Sequence, residues 1–125
     1  MAVDRRRTDR ERRAALRVPA VFAVKCVIEE QLELGQAEDV GPGGLTMRRP
    51  EQLPLAPGTG LRLFFGLPGE AGLVATHGIV VSDTLVGACR RTGVRFMALP
   101  VDEEQQIASF CQAALTALYP QSSVA

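Results

Sequence analysis

Short segments in which apolar and polar residues alternate make up most of the chain between Pro19 and Met97. A period of two places successive side chains on opposite faces of a β-strand. Turns rich in glycine and proline separate the segments, as is typical of short strands in all-β proteins. The sequence therefore predicts six strands, which lie within Val21 to Ile28, Leu32 to Glu38, Leu45 to Met47, Leu61 to Phe65, Leu73 to Val81 and Gly93 to Met97.

The period changes near the C-terminus. Apolar residues recur there at the spacing of one helical stripe, at Ile107, Phe110, Cys111, Ala114, Leu115 and Leu118. Acidic residues at 102–104 suit the first turn of a helix, where the helix dipole favours negative charge, and Pro120 is expected to end it. Six short strands and one terminal helix predict an all-β fold, a small β-barrel closed by a C-terminal helix.

Several local features carry their own expectations. Gly41-Pro42-Gly43-Gly44 suits a type II turn, because Gly43 tolerates a positive φ at the third position. The pairs Arg48-Arg49 and Arg90-Arg91 are expected to face solvent at strand ends. Ser82-Asp83 is expected to form a turn that ends the fifth strand.

Length and composition exclude several classes of protein. A chain of 125 residues forms one domain, and none of its apolar runs approaches the ~20 residues that a membrane span needs. The charged N-terminus lacks the apolar core of a signal peptide, so we expect a cytoplasmic protein. The three cysteines form no C-x-x-C pair and His77 has no partner motif, which argues against a zinc site or disulfide framework. No nucleophile and base are paired, so we do not expect an enzyme.

Charge is distributed unevenly although the net charge is zero. The first seventeen residues contain half of the fourteen basic side chains and carry a net charge of +4, which leaves −4 on the rest. We expect residues 1–11 to form a flexible basic arm, 12–118 to form the globular domain and 119–125 to form a short tail. A cationic arm on an acidic body predicts an anionic partner for the arm.

Two short motifs suggest what that partner is. The first contains Arg12, Arg13 and Arg17, and the second contains Asp39, Gly41 and Gly44. Guanidinium groups present paired donors to the acceptors of guanine and phosphate, and a glycine turn with a carboxylate supplies a close polar wall. In this order and spacing, followed by the strand Gly93 to Met97, they predict one site for an anionic guanine nucleotide.

These residues resemble a PilZ domain over about residues 10 to 118. The resemblance implies a six-stranded antiparallel barrel with a C-terminal helix, and a site for the bacterial messenger cyclic di-GMP. It assigns Arg13 and Arg17 to an R-x-x-x-R motif preceded by Arg12, and residues 39–44 to a [D/N]-x-S-x-x-G motif. Asp39 would contact a guanine edge or hold an arginine, and Gly44 would let the ligand approach the backbone. The motif serine is replaced by Gly41, which predicts weaker binding rather than none.

Three classes of function stay open from the sequence. The preferred class is a cyclic di-GMP receptor or adaptor that needs no cofactor and acts on a downstream protein partner, with the ligand drawing the arm onto the barrel. The second is a divergent PilZ-like interaction module that binds no ligand. The third is a nucleic-acid-binding barrel, against which the lack of tryptophan and the 5% content of aromatic residues argue.

Overall fold

The fold is known from a computed structural model that describes residues 16–50 and 53–118. These residues form six β-strands and one α-helix. The elements are β1 (Val18–Ile28), β2 (Gln31–Gly41), β3 (Gly44–Pro50), β4 (Gly60–Phe65), β5 (Val74–Val86), β6 (Cys89–Met97) and α1 (Val101–Leu118).

The strands form a closed antiparallel barrel in the order β1-β2-β3-β6-β5-β4. Two three-stranded meanders, β1-β2-β3 and β4-β5-β6, are joined by the β1–β4 and β3–β6 pairings. The alternation of the strands and the helical stripe near the C-terminus therefore predicted the fold class correctly. The strand β5 extends five residues beyond the predicted end at Val81, so Ser82-Asp83 lies inside a strand and the expected turn was wrong.

The barrel interior is filled by the inward-facing residues of every strand. Phe65 is 2% exposed, and its ring centroid lies 5.4 Å from that of Phe22 and 6.0 Å from that of Phe96. Ile107 and Cys111 bring α1 onto this core, and the thiol of Cys111 donates to the carbonyl oxygen of Val40 at 3.4 Å. The apolar stripe of the helix loses contact toward its C-terminus, since Leu118 is 55% exposed.

The turns depart in part from expectation. Glu29 and Glu30 both have a positive φ and connect β1 to β2 in a two-residue hairpin, a geometry that usually requires glycine or asparagine. In the hairpin between β2 and β3, Gly43 lacks the positive φ that a type II turn needs at its third position, so the predicted turn type was wrong.

Arg49 is buried, although the sequence suggested that it faces solvent. Its side chain is 0% exposed, and its Nε donates to the hydroxyl of Thr92 at 2.8 Å. Nη1 donates to the carboxylate of Glu33 at 2.9 Å, and Nη2 donates to Asp83 at 3.2 Å. The neighbouring Arg48 points outward and is 53% exposed, because adjacent strand residues face opposite ways.

Asp83 is the second centre of this buried network. Its Oδ2 accepts hydrogen bonds from the Leu55 amide at 2.9 Å and from Arg90 at 2.7 Å, and its Oδ1 accepts from Thr92 at 2.7 Å. Burial alone would raise the pKa of Asp83, but these hydrogen bonds and that from Arg49 outweigh it and lower the pKa to about 2. The network thus ties β2, β3, β5 and β6 to the loop before β4 through a carboxylate that is ionised at neutral pH.

The cysteines are free thiols. Cys26 and Cys111 are buried as predicted, and burial raises the pKa of each to about 11. Cys89, at the start of β6, is half-buried.

Candidate functional site

The segment before β1 meets the β2–β3 hairpin at one edge of the barrel. Arg17 directly precedes β1, and Val18 pairs with Val40 near the end of β2. This pairing places Arg17 against Asp39, although 22 positions separate them in the chain. Arg12 and Arg13, the other two arginines of the expected site, lie outside the described residues.

A β-bulge shapes the end of β2. The register between β2 and β3 shifts just before Asp39, and such an extra residue lets consecutive side chains reach the same surface. Glu38 and Asp39 accordingly both stay partly exposed, at 26% and 31%. Glu38 pairs with Arg48 and with Arg91, whose Nε lies 3.1 Å from the carboxylate. Burial would raise the pKa of Glu38, but the hydrogen bonds from these two arginines outweigh it and lower that pKa.

Asp39 and Thr46 hold the guanidinium of Arg17 between them. Nη1 donates to Oδ1 of Asp39 at 3.2 Å and to the hydroxyl oxygen of Thr46 at 2.9 Å. The same Oδ1 accepts the backbone N–H of Thr46 at 3.1 Å, so the three residues form one hydrogen-bonded unit. About a third of the Arg17 side chain stays exposed, which leaves the guanidinium accessible to an incoming ligand.

Gly41 admits the backbone that carries Arg17. A Cβ atom at this position would lie 1.7 Å from the carbonyl oxygen of Leu16 and 3.2 Å from Cγ of Arg17. Real Cβ atoms do not approach backbone so closely, so the missing side chain is a condition for the way Leu16 lies across the end of β2.

Gly44 lies where β3 and β6 approach each other closely. A Cβ atom there would lie 2.0 Å from the carbonyl oxygen of Val94 and 3.1 Å from Nη2 of Arg17. The neighbouring strand β6 therefore requires glycine here for a packing reason that the sequence did not indicate, and the approach of a ligand to the Gly44 backbone stays a prediction. Gly44 allows β3 and β6 to approach beneath the Arg17 guanidinium.

The outer surface around the hairpin is cationic. Arg95 is exposed on β6 opposite Gly44, and Arg91 pairs in register with Arg48 on the same face. Together with Arg17 they supply four guanidinium groups beside the two carboxylates of Glu38 and Asp39. Guanidinium groups donate to phosphate and carboxylate oxygens through two parallel hydrogen bonds, so this face suits an anionic ligand.

Residues 16–50 and 53–118 contain no group of three or more side chains that could hold a metal ion. Within the same ranges no helix combines the length and the hydropathy that crossing a bilayer demands. A cleft of about 440 Å³ lies elsewhere on the barrel, between Arg62, His77 and Met97, and none of the expected site residues lines it.

Comparison with known proteins establishes the family. The sequence model of the PilZ domain matches residues 4–113, and the chain belongs to the PilZ domain family. No curated protein matches the chain.

Solved structures with the same fold include three informative relatives. The Bacillus subtilis inhibitor of motility MotI/DgrA matches with a TM-score of 0.76 and 19% identity over 83% of this chain and 51% of its own. The PilZ domain of Escherichia coli YcgR, solved with c-di-GMP, matches with a TM-score of 0.66 and 13% identity. The match covers 88% of this chain and 96% of the YcgR domain. The K. pneumonia MrkH–c-di-GMP complex matches with a TM-score of 0.71 and 13% identity. The match covers 86% of this chain and 54% of MrkH. The chain thus spans about half the length of MotI/DgrA and of MrkH.

Two residues at the hairpin were missed by sequence reasoning. Thr46 was interpreted only as part of a strand, and Arg95 only as part of the closing strand that supports the family resemblance. A threonine in a strand gives no signal of its own, because its role depends on the β2–β3 register that places it beside Asp39. The alternation of β6 does place Arg91 and Arg95 on one face, and this pattern was the available signal for Arg95.

Proposed function

We propose that this chain is a cyclic di-GMP receptor or adaptor in bacterial second-messenger signalling. The observation that carries the proposal is the Arg17 guanidinium, which Asp39 and Thr46 hold at the cationic outer face of the hairpin. The PilZ family match and the c-di-GMP complexes of YcgR and MrkH support the choice of ligand.

The chemistry of the ligand fits the groups present. The Hoogsteen edge of guanine offers two acceptors to a guanidinium fork, a pairing that contributes ~1–3 kcal/mol in protein–DNA complexes. The two phosphates accept charge-assisted hydrogen bonds, and a guanidinium plane can stack on a purine with ~0.5–2 kcal/mol. No catalytic step is required, so the proposed role is recognition and signal transfer.

The arm enters the proposal through the geometry of its attachment. Arg13 is four residues before Arg17, so an extended chain limits their Cα separation to about 14 Å. In the proposal, Arg12 and Arg13 bind the same ligand as Arg17. Ligand binding would draw the basic arm, residues 1–11, onto the barrel and change the surface that a partner meets.

Titration calorimetry with cyclic di-GMP tests the proposal. We expect heat from the native chain, and an affinity at least tenfold weaker for Arg13→Ala and for Arg17→Ala, since ~1.4 kcal/mol is tenfold. Arg62→Ala is the matched control, because Arg62 is exposed on β4 and away from the hairpin. Cyclic di-AMP should bind more weakly, because adenine replaces the O6 acceptor with a donor. Heat that survives both arginine substitutions would reject the site.

Trypsin digestion tests the movement of the arm. The arm and the Arg12–Arg17 segment contain seven cleavage sites, and saturation with cyclic di-GMP should slow cleavage there by at least tenfold. Cleavage that is unchanged at saturation would contradict the ordering of the arm while leaving the binding site itself to the calorimetry.

A second candidate is a PilZ-like interaction module that binds no ligand. The observation in its favour is Gly41, which supplies no hydroxyl and lies against the Leu16 carbonyl. Leu32 and Leu34 on the same face of β2 are each more than half exposed and would be apolar contacts for a protein partner. Calorimetry that shows no heat from the native chain at any concentration would favour this candidate.

A further inference from the structure

Thr46 makes one hydrogen bond to Arg17 and one to Asp39. Its hydroxyl oxygen accepts from Nη1 of Arg17 at 2.9 Å, and its backbone N–H donates to the same carboxylate oxygen of Asp39 that accepts Arg17. Removing the hydroxyl would leave Arg17 with Asp39 alone, at the longer distance of 3.2 Å. The hydroxyl therefore fixes the direction of the guanidinium plane as well as its position.

Nη1 is the only nitrogen of the Arg17 guanidinium that these contacts use. Among the described residues no hydrogen bond involves Nη2 or Nε of Arg17, and Nη2 lies above Gly44, 3.1 Å from where a Cβ atom would be. Thr46 and Asp39 thus bind the guanidinium through Nη1, and these contacts leave the N–H donors of Nε and Nη2 to other partners.

Gly41 leaves room for the backbone that brings Arg17 to Thr46. The backbone that carries Arg17 lies so close to Gly41 that a Cβ atom would meet the Leu16 carbonyl oxygen at 1.7 Å and its carbon at 2.9 Å. Both contacts are with backbone, so no side-chain rotation can relieve them. A serine at position 41 would displace the chain that brings Arg17 to Thr46.

We propose that Thr46 is the positioning residue for Arg17, and that its hydroxyl takes the place in this chain of the serine that the motif has at position 41. Gly41 and Thr46 act as a pair: the first admits the Leu16–Arg17 backbone and the second orients the guanidinium. The inference deepens the proposed cyclic di-GMP site and rests on it for the ligand. It has an unusual consequence, because restoring the motif by Gly41→Ser should weaken the site.

The first test needs no ligand. In nitrogen-15 NMR spectra of the full chain, Thr46→Val should speed the rotation about the Nε–Cζ bond of Arg17 at least threefold, because the side chain keeps its shape and loses only the acceptor. Thr46→Ser, which keeps the hydroxyl, should retain the native rate. An unchanged rotation rate in Thr46→Val, with a native amide spectrum, would overturn the positioning role.

The second test measures the affinity for cyclic di-GMP by calorimetry. We expect Thr46→Val to bind about tenfold more weakly, since a hydrogen bond to a charged group is lost, and Thr46→Ser to bind within about twofold of the native chain. Gly41→Ser should bind at least tenfold more weakly and shift the amide signals of Leu16 and Arg17. Gly60→Ser is the matched control, because nothing lies within 4 Å of a Cβ atom at Gly60.

The outcomes separate the two proposals. Tighter binding by Gly41→Ser, or native binding by Thr46→Val, would overturn the inference while supporting a cyclic di-GMP receptor. Absence of heat from the native chain would reject the receptor proposal, and the rotation of Arg17 in Thr46→Val would still decide the role of Thr46.

Discussion

Adjacent arginines on β3 should respond very differently to the same substitution. Arg49→Met removes a side chain that is 0% exposed and donates to Thr92, Glu33, Asp83 and the Leu53 carbonyl. Arg48→Met removes a side chain that is 53% exposed and pairs with a carboxylate at the surface. The two variants share their chemistry and differ only in the face of the strand that they occupy.

The structure sets the size of the difference. Removing one partner of a buried ion pair costs about 3–5 kcal/mol, because the remaining charge loses its compensation. Asp83 is 2% exposed but keeps Arg90, Thr92 and the Leu55 amide, which places the expected loss for Arg49→Met near the lower end, about 3 kcal/mol. An exposed pair contributes about 0–1 kcal/mol, so Arg48→Met should change the free energy of unfolding by less than about 1 kcal/mol.

Urea unfolding followed by circular dichroism measures both values. The second substitution Asp83→Asn, made in the Arg49→Met background, should cost less than it does in the native chain, because the charge that needed Arg49 is then gone. Equal destabilisation by the two methionine variants, or strictly additive effects of Arg49→Met and Asp83→Asn, would refute the view that a buried charge network stabilises the barrel.

Three further outcomes follow from the described contacts. The pKa of Asp83 is lowered from 3.8 to about 2, so its ionised form contributes about 2 kcal/mol to the free energy of unfolding above pH 4. This contribution is lost as the pH falls toward 2. The free energy of unfolding of Asp83→Asn should therefore depend less steeply on pH between 4 and 2 than that of the native chain. A maleimide reagent should label only Cys89 in the folded chain, because the other two thiols are buried, and all three in urea; rapid labelling of more than one would contradict their burial. Gly78→Ala should destabilise by about 1–3 kcal/mol, because its Cβ would lie 2.5 Å from Val94, whereas Gly60→Ala should be neutral or stabilising in thermal melts. Equal melting temperatures of these two variants would refute the packing at Gly78.

The sequence predicted the barrel because each strand has its own signal. Phe64 and Phe65 show how the alternation works: Phe65 is 2% exposed in the core, while Phe64 faces outward, with the Arg62 guanidinium 5.9 Å from its ring centroid. The meeting of Arg17 with Asp39 followed from two motifs whose order and spacing are informative. Local patterns were sufficient wherever a residue's environment depends on its own strand.

The sequence did not predict contacts that depend on distant partners. Arg49 looks like Arg48 in the sequence, and its burial becomes reasonable only with Asp83, which lies 34 positions away. Asp83 in turn was assigned to a turn, since Ser-Asp commonly ends a strand, and the β-bulge between Val80 and Ser82 that continues β5 has no clear sequence signal. The Leu16 contact with Gly41 likewise depends on the path of the chain before β1.

The two seams of the barrel have a consequence for how the chain folds. Hairpins of neighbouring strands build each meander, but the β1–β4 and β3–β6 seams pair residues such as Val24 with Phe65 and Arg49 with Arg90, about forty positions apart. Closing such long loops is slow, so the seams should form late and set the rate of refolding. The ionic cluster around Arg49 spans the β3–β6 seam. Because this seam forms late, we expect the hydrogen bonds of the cluster mainly to lower the rate of unfolding. A barrel that closes late and opens slowly keeps its outer face in one geometry for long periods, which would preorganise the proposed ligand site.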